Sequence, residues 1–269
     1  MSERIAAAFD RARDEGRAAL MPYMMGGFPD HDGAGAIAAA YADAGADLIE
    51  LGIPFSDPLA DGPVIHAAAT RALEGGATPE SVLQTCRAVS DRVAVVVMAY
   101  ANTVLARGAD EFARALADAG AAGAIIPDLP PEESGEIHTA MSALGLALVP
   151  LVAPTTPDER RRRICAGAEG FVYVVSLAGV TGERDELPAG LVELAEAVRS
   201  EASVPAAVGF GIGTPEQAAQ VGRIADGVII GSRLVREVEQ APDPASATRA
   251  VTDFLREARA AMGRTSADE

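Results

Sequence analysis

Residues 48–63 read LIELGIPFSDPLADGP, an apolar stretch that carries Glu50 and runs into a proline-rich loop. The apolar part has the length and composition of a β-strand, and strand side chains alternate between two faces. This alternation places Glu50 on the face opposite Ile49 and Leu51. Glu50 is therefore predicted to point into an apolar interior, where an ionised carboxylate is costly unless it is paired, and where the carboxyl pKa rises toward neutrality.

The loop that follows this strand carries two more carboxylates, Asp57 and Asp61. Its prolines and its glycine fix backbone angles, so the loop is expected to position side chains. Two acids at the end of one strand suit general acid and base catalysis, with Glu50 and Asp61 as the pair. The alternative is that Glu50 pairs with a buried arginine and that the aspartates form turns. For Asp57 both interpretations stay open.

Similar apolar runs recur between longer amphipathic segments, as in repeated strand–helix units around a parallel sheet. Eight such units predict an α/β fold, a (β/α)8 TIM barrel, and 269 residues suit a single barrel domain over 1–269. An extra helix from Glu3 to Glu15 is expected to cover the bottom of the barrel, and a tail at about 263–269 is expected to fray. The predicted strands are Ala19 to Met25, Asp47 to Ile53, Val93 to Ala99, Gly123 to Ile126, Ala147 to Val152, Gly170 to Val175, Val204 to Gly209 and Gly227 to Ile230.

Three of the predicted helices share a start signal. Threonine followed by proline and acidic or amide residues stands at Thr78, Thr156 and Thr214. Threonine is a good N-cap, and proline is tolerated in the first helical turn. Each threonine is therefore predicted to cap a helix.

The composition narrows the possible chemistry and partners. A formal net charge of −17 argues against nucleic acid or anionic membrane as a partner, because both require basic surface. All 22 basic residues are arginine, so the chain contains no lysine for a Schiff base. His31, His66 and His138 lack metal-ligand spacing, so no metal site is predicted. The N-terminus has no apolar signal region and no run approaches a membrane span, so a cytoplasmic protein is expected.

In a barrel of this class the active site lies at the carboxyl ends of the strands. The seventh strand is followed by glycines including Gly211, and the eighth by Gly231 and Ser232, which together predict a phosphate site. Tyr100 and Tyr173 lie near strand ends, where they are either core residues or part of a ligand wall. The residues alone thus predict proton-transfer chemistry on a phosphorylated compound, either isomerisation or carbon–carbon cleavage.

With these residues in hand, the chain closely resembles the tryptophan synthase alpha-chain family over nearly its whole length. The motifs that carry the resemblance are residues 48–63, Tyr100-Ala101-Asn102, Gly179-Val180-Thr181-Gly182, Gly209-Phe210-Gly211-Ile212 and Gly231-Ser232. The resemblance implies a lyase that cleaves indole-3-glycerol phosphate to indole and glyceraldehyde 3-phosphate in tryptophan biosynthesis. The alternatives are a stand-alone lyase of this kind and a non-catalytic barrel that only binds and activates a partner.

The resemblance also implies roles for individual residues. Glu50 would be the general acid and base, and Asp61 would accept the indole N–H. Substrate binding would fall to Tyr23, Tyr100, Tyr173, Thr181 and Phe210, and phosphate binding to Gly182, Gly211, Gly231 and Ser232.

A partner is implied as well, a beta subunit that holds pyridoxal phosphate in an alpha2beta2 heterotetramer. The chain itself would need no cofactor. Asp57 and the exit of the third strand would then lie at the subunit interface.

Overall fold

A computed structural model describes residues 3–175, 187, 189–209 and 211–263 of the chain. Its strands all run parallel in one sheet, with the hydrogen-bonded order β5-β4-β3-β2-β1-β9-β8-β7-β6. The bounds are β1 Ala19–Met25, β2 Leu48–Gly52, β3 Ala94–Met98, β4 Gly123–Ile125, β5 Ala147–Val149, β6 Leu151–Val152, β7 Val172–Val175, β8 Ala206–Gly209 and β9 Gly227–Ile230.

The sheet closes into a barrel at Pro150. The two ends of the strand order, β5 and β6, are consecutive in the chain and are separated by this residue alone. The prediction of one unbroken strand from Ala147 to Val152 is therefore wrong in this detail, because proline has no N–H to donate to a strand ladder. The Pro150 carbonyl instead accepts a hydrogen bond from the Tyr173 N–H, at 2.9 Å. The predicted (β/α)8 barrel is confirmed, with its fifth strand in two pieces.

The strands alternate with helices, and the predicted strand limits differ from the observed ones by one or two residues at several ends. Within the described residues, none of the helices combines the length and the apolar character needed to cross a membrane. The helices are α1 Glu3–Asp14, α2 His31–Asp43, α3 Pro63–Glu74, α4 Pro79–Val89, α5 Ala101–Arg107, α6 Ala109–Asp118, α7 Gly135–Ser142, α8 Asp158–Ala166, α9 Ala189–Glu201, α10 Pro215–Ile224, α11 Ser232–Gln240 and α12 Pro244–Met262, with a 3-10 turn at Pro131–Glu133.

Two of the three predicted helix caps are confirmed. Thr78 and Thr214 cap α4 and α10, and each forms a reciprocal capping box with the third helical residue. At α8 the N-cap is Pro157, and the prediction for Thr156 is wrong. The Thr156 hydroxyl accepts a hydrogen bond from the Ala153 N–H at 3.0 Å, so it closes a local turn before the helix begins.

Helix α1 covers the amino-terminal end of the barrel, as predicted. Its buried residues recur at helical spacing, Ile5, Ala8, Phe9 and Ala12, and they join the same apolar cluster as the residues inside the barrel. Arg4 on this helix donates hydrogen bonds to the carbonyls of Ser90, Val93 and Gly120, which lie just before β3 and β4. The lower end of the barrel is therefore closed, and only the carboxyl end is available for a ligand.

The two faces of the strands contribute to separate apolar clusters. Leu48 belongs to the cluster inside the barrel, whereas Ile49 and Leu51 belong to the cluster between the sheet and the helices. The alternation predicted for β2 is therefore correct. It directs Glu50 into the barrel.

Candidate active site

Glu50 is a buried carboxyl inside the barrel. It is 2% exposed and lies beside Tyr23 of β1 and Val96 of β3 in the sheet register. Among the described residues, its Oε2 atom has no hydrogen-bond partner. The alternative, in which Glu50 pairs with a buried arginine, is therefore not observed among the described residues. Burial, and then the nearby Asp61 charge, raise the pKa of the Glu50 carboxyl to about 8.

Asp61 brings a second carboxyl to the same place. It lies on the loop between β2 and α3 and is half-buried. Burial raises the pKa of Asp61, while the neighbouring Tyr100 hydroxyl and the nearby His66 act in the opposite direction. The predicted pair of acids is thus brought together in different surroundings, because Glu50 is 2% exposed whereas Asp61 is only half-buried and lies near Tyr100 and His66.

Tyr23 and Tyr173 face the same space, and each needs a glycine beside it. A Cβ on Gly52 would lie 2.4 Å from the Tyr23 hydroxyl oxygen, and one on Gly209 would lie 2.7 Å from that of Tyr173. Burial and the two nearby carboxylates raise the pKa of both tyrosines well above the ordinary value, so both hydroxyls stay protonated. Sequence reasoning did not assign a role to Gly52. Only the pairing of its strand β2 with β1, the strand that contains Tyr23, indicates that Gly52 must leave room for a tyrosine.

Tyr100 is fully enclosed behind the loop that carries Asp61. It is 2% exposed, its ring stacks on Phe55 at 5.2 Å, and its hydroxyl accepts a hydrogen bond from the Ala60 N–H at 3.0 Å. Unlike Tyr23 and Tyr173, it is not among the residues that line the cavity described next.

These groups surround a cavity of about 260 Å³ at the carboxyl ends of the strands. Its polar side chains are those of Glu50, Asp61, Tyr23, Tyr173, Ser232 and Arg233. Its apolar wall comes from residues that sequence reasoning missed, because nothing in a strand's local pattern says how far along the barrel a side chain lies. These wall residues are Ile65, Met98, Ile125, Leu151, Ile212 and Ile229.

One end of the cavity suits an anion. Gly211, Gly231 and Ser232 all line it, and Gly231 is the N-cap of α11. No side chain within the described part of the chain caps this helix, so its first N–H groups and its dipole are directed toward the cavity. A phosphate group fits that environment. The other residues assigned to substrate and phosphate, Thr181, Gly182 and Phe210, lie outside the described residues.

Asp57 lies apart from the cavity. It is exposed on the loop at residues 53–62, where the Ser56 hydroxyl donates a hydrogen bond to its carboxylate at 2.6 Å. Leu59 on the same loop is 86% exposed, and Leu105 on α5, the helix that follows the neighbouring strand β3, is 63% exposed. Large apolar side chains are therefore exposed after both β2 and β3.

The described residues contain no group of three or more histidine, cysteine or acidic side chains arranged to hold a metal ion. The titratable side chains that line the cavity are the carboxyls of Glu50 and Asp61, the phenols of Tyr23 and Tyr173 and the guanidinium of Arg233. Cys86 and Cys165 are buried and unbridged, and neither lines the cavity.

Comparison with known proteins gives one consistent result. The family model for the tryptophan synthase alpha chain matches residues 9–263. The alpha chain of Roseiflexus sp. (strain RS-1) is 50% identical over 259 residues, which is 95% of this chain and 99% of that relative. The alpha chain of Carboxydothermus hydrogenoformans is 49% identical over 238 residues, which is 88% of this chain and 89% of that relative. A solved structure of tryptophan synthase from Mycobacterium tuberculosis matches with a TM-score of 0.91 and 37% identity, covering 97% of this chain and 99% of that one. The chain therefore belongs to the tryptophan synthase alpha-chain family.

Proposed function

We propose that Glu50 and Asp61 supply the acid and base chemistry of the alpha reaction of tryptophan synthase in this chain. That reaction cleaves indole-3-glycerol phosphate to indole and glyceraldehyde 3-phosphate. The observation that carries the assignment is the buried Glu50 carboxyl, whose Oε2 atom has no partner among the described residues and which lines the cavity with Asp61. A carboxyl held in this way exchanges protons near neutral pH.

The reaction begins with a proton transfer to carbon. With a pKa of about 8, Glu50 is mostly protonated at pH 7 and can protonate the indole ring at C3. The ring becomes a cation, and the ionised Asp61 carboxylate accepts its N–H and stabilises the positive charge. The ring then serves as the electron sink that an imine provides in lysine-dependent aldolases, a route closed to a chain without lysine.

The second step breaks the carbon–carbon bond. The Glu50 carboxylate formed in the first step takes the proton of the side-chain hydroxyl next to the ring. The bond between C3 and that carbon breaks, its electron pair returns to the ring, and the oxygen becomes the aldehyde of glyceraldehyde 3-phosphate. Glu50 ends the cycle protonated, so one residue serves as acid and then as base.

The remaining residues bind the substrate. Gly211, Gly231 and Ser232 would hold the phosphate through backbone N–H groups at the start of α11, together with Gly182. Tyr23 and Tyr173 would pack on the indole ring, with Phe210 and Thr181 completing the pocket. Because Glu50 and Tyr173 come from opposite halves of the chain and line one cavity, we infer that residues 1–269 form one barrel domain.

We also infer a beta-subunit partner that holds pyridoxal phosphate and receives indole. The surface around Asp57, Leu59 and Leu105 supports this inference, because large exposed apolar side chains favour a protein contact. Light scattering after gel filtration with a beta subunit should give the mass of an alpha2beta2 complex. Separate elution of the two chains would instead support a stand-alone lyase.

The decisive experiment is indole release from indole-3-glycerol phosphate by the purified chain, with and without a beta subunit. Glu50→Gln and Asp61→Asn should each lower the rate at least ~100-fold. Glu201→Gln is the matched control, because Glu201 pairs with Arg161 away from the cavity. Near-normal rates in both cavity variants would contradict the assignment. Absence of release by the wild-type chain in either condition would support a binding role only.

A further inference from the structure

We propose that Tyr100 is a positioning residue, whose ring and hydroxyl hold the loop at residues 53–62 and so keep the Asp61 carboxylate in place for the reaction. The proposal rests on the function proposed above. It gives Tyr100 a different role from a wall of the ligand pocket, since Tyr100 does not line the cavity.

The geometry places one side chain against both ends of the loop. The Tyr100 ring stacks on Phe55, with the ring planes at 23°, near the start of the loop. Its hydroxyl accepts the Ala60 N–H at 3.0 Å, and Ala60 directly precedes Asp61 near the end of the loop. The ring and the hydroxyl of Tyr100 therefore hold both ends of this loop.

Tyr100 can hold the loop because its own backbone is fixed. It is the N-cap of α5, and the next N–H in the chain, that of Ala101, donates to the Asp128 carboxylate at 2.8 Å. The loop itself is largely exposed at Ser56, Asp57 and Leu59, so it has few buried contacts of its own. The position of Asp61 thus depends on a side chain from a neighbouring strand exit.

The hydroxyl also favours the ionised form of Asp61. Burial raises the pKa of the Asp61 carboxyl, and the neighbouring Tyr100 hydroxyl opposes that rise. Asp61 must be ionised to accept the indole N–H. The other titratable groups that influence the pKa of Asp61, or whose pKa Asp61 influences, are Glu50 from β2, His66 from α3, Tyr23 from β1, Tyr173 from β7 and Tyr100.

The test is Tyr100→Phe, which removes the hydroxyl and keeps the ring stack on Phe55. We expect kcat/KM for indole release to fall about tenfold, because the loop that carries Asp61 loses its hydrogen bond at the Ala60 N–H. We also expect the decline of kcat/KM at low pH to begin at a higher pH, because the Asp61 carboxyl loses a neighbouring hydroxyl that lowers its pKa. A merely structural role would lower the amount of folded protein without moving the pH profile.

Tyr41→Phe is the matched control. Tyr41 is another fully buried tyrosine, and its hydroxyl donates to a backbone carbonyl, that of Tyr23, at 3.2 Å. It should leave the pH profile in place. If Tyr100→Phe keeps both the wild-type kcat/KM and the wild-type pH profile while the wild-type enzyme is active, the positioning role is wrong and the proposed function stands.

A binding measurement decides the matter independently of turnover. The probe is a non-cleavable indole-3-alkyl phosphate, titrated against wild type, Tyr100→Phe, Asp61→Asn and the double variant. If Tyr100 acts through Asp61, its substitution weakens binding about tenfold in the wild type and has little further effect in the Asp61→Asn background. Equal losses in both backgrounds would overturn the proposal.

Discussion

The free energy of unfolding should depend on pH through Glu50, and Glu50→Gln should remove that dependence. In the unfolded chain this carboxyl titrates near 4.5, whereas in the folded barrel burial raises its pKa to about 8. Between these values the folded state holds a proton that the unfolded state has released. The contribution of the neutral carboxyl is therefore complete below about pH 4.5 and is lost as the pH rises through about 8.

The magnitude follows from the two pKa values. Each pH unit in this window costs the wild type about 1.4 kcal/mol, or about 5 kcal/mol in total by pH 8. Glutamine cannot ionise, so the variant does not lose this stability. Burying its amide costs about 1–3 kcal/mol, but that cost does not change with pH. The free energy of unfolding of Glu50→Gln should therefore increase steadily relative to that of the wild type as the pH rises.

The assay is urea unfolding of both proteins at several pH values between about 4.5 and 8. Glu201→Gln is the control, because Arg161 holds the pKa of Glu201 below its ordinary value of 4.5. Its carboxylate stays ionised in both the folded and the unfolded chain across this window, so the difference between wild type and Glu201→Gln should not change with pH. A difference between wild type and Glu50→Gln that stays constant with pH would refute the reasoning about Glu50.

Three further variants separate packing, substrate binding and stability. Gly52→Ala would place a methyl 2.4 Å from the Tyr23 hydroxyl oxygen, so we expect unfolding free energy to fall by about 1–3 kcal/mol and turnover to fall with it; unchanged melting would contradict this. The Cβ of Gly211→Ala meets no atom of the described residues within 4 Å, so melting should be unchanged while KM rises about tenfold through contact with phosphate; an unchanged KM would argue against Gly211 in the phosphate site. Asp47→Asn weakens a buried ion pair with Arg17, so the free energy of unfolding should fall by about 3–5 kcal/mol while turnover per folded molecule is retained. Urea unfolding measures the first effect, and turnover normalised by active-site titration measures the second.

Much of this fold was predictable because its signals are local. The alternation around Glu50 depends on strand geometry alone, and the structure confirms that Leu48 lies inside the barrel and Ile49 outside it. The helix caps at Thr78 and Thr214 were predictable for the same reason, since a cap involves residues only three positions apart. Thr156 shows the limit, because its hydroxyl had a closer partner in the preceding turn.

The interruption of the fifth strand at Pro150 was harder to predict from the sequence. A proline within an apolar run can lie at a strand end or at a change of partner, and only the pairing of β5 with β4 and β6 with β7 distinguishes these cases. The assignments of Thr181, Gly182 and Phe210 remain predictions, because they lie outside the described residues.

By itself, the sequence determined the barrel class, the two carboxyls at the end of the second strand and the glycines for which phosphate binding is proposed, since each depends on residue type and short-range spacing. Tertiary structure alone decided how those groups are tuned. The pKa of Glu50 depends on the exclusion of water by strands distant in sequence and on the Asp61 charge beside it. The setting of Asp61 likewise depends on Tyr100, about forty residues away in the chain, whose hydroxyl reaches it only because parallel strands end at one edge of the barrel.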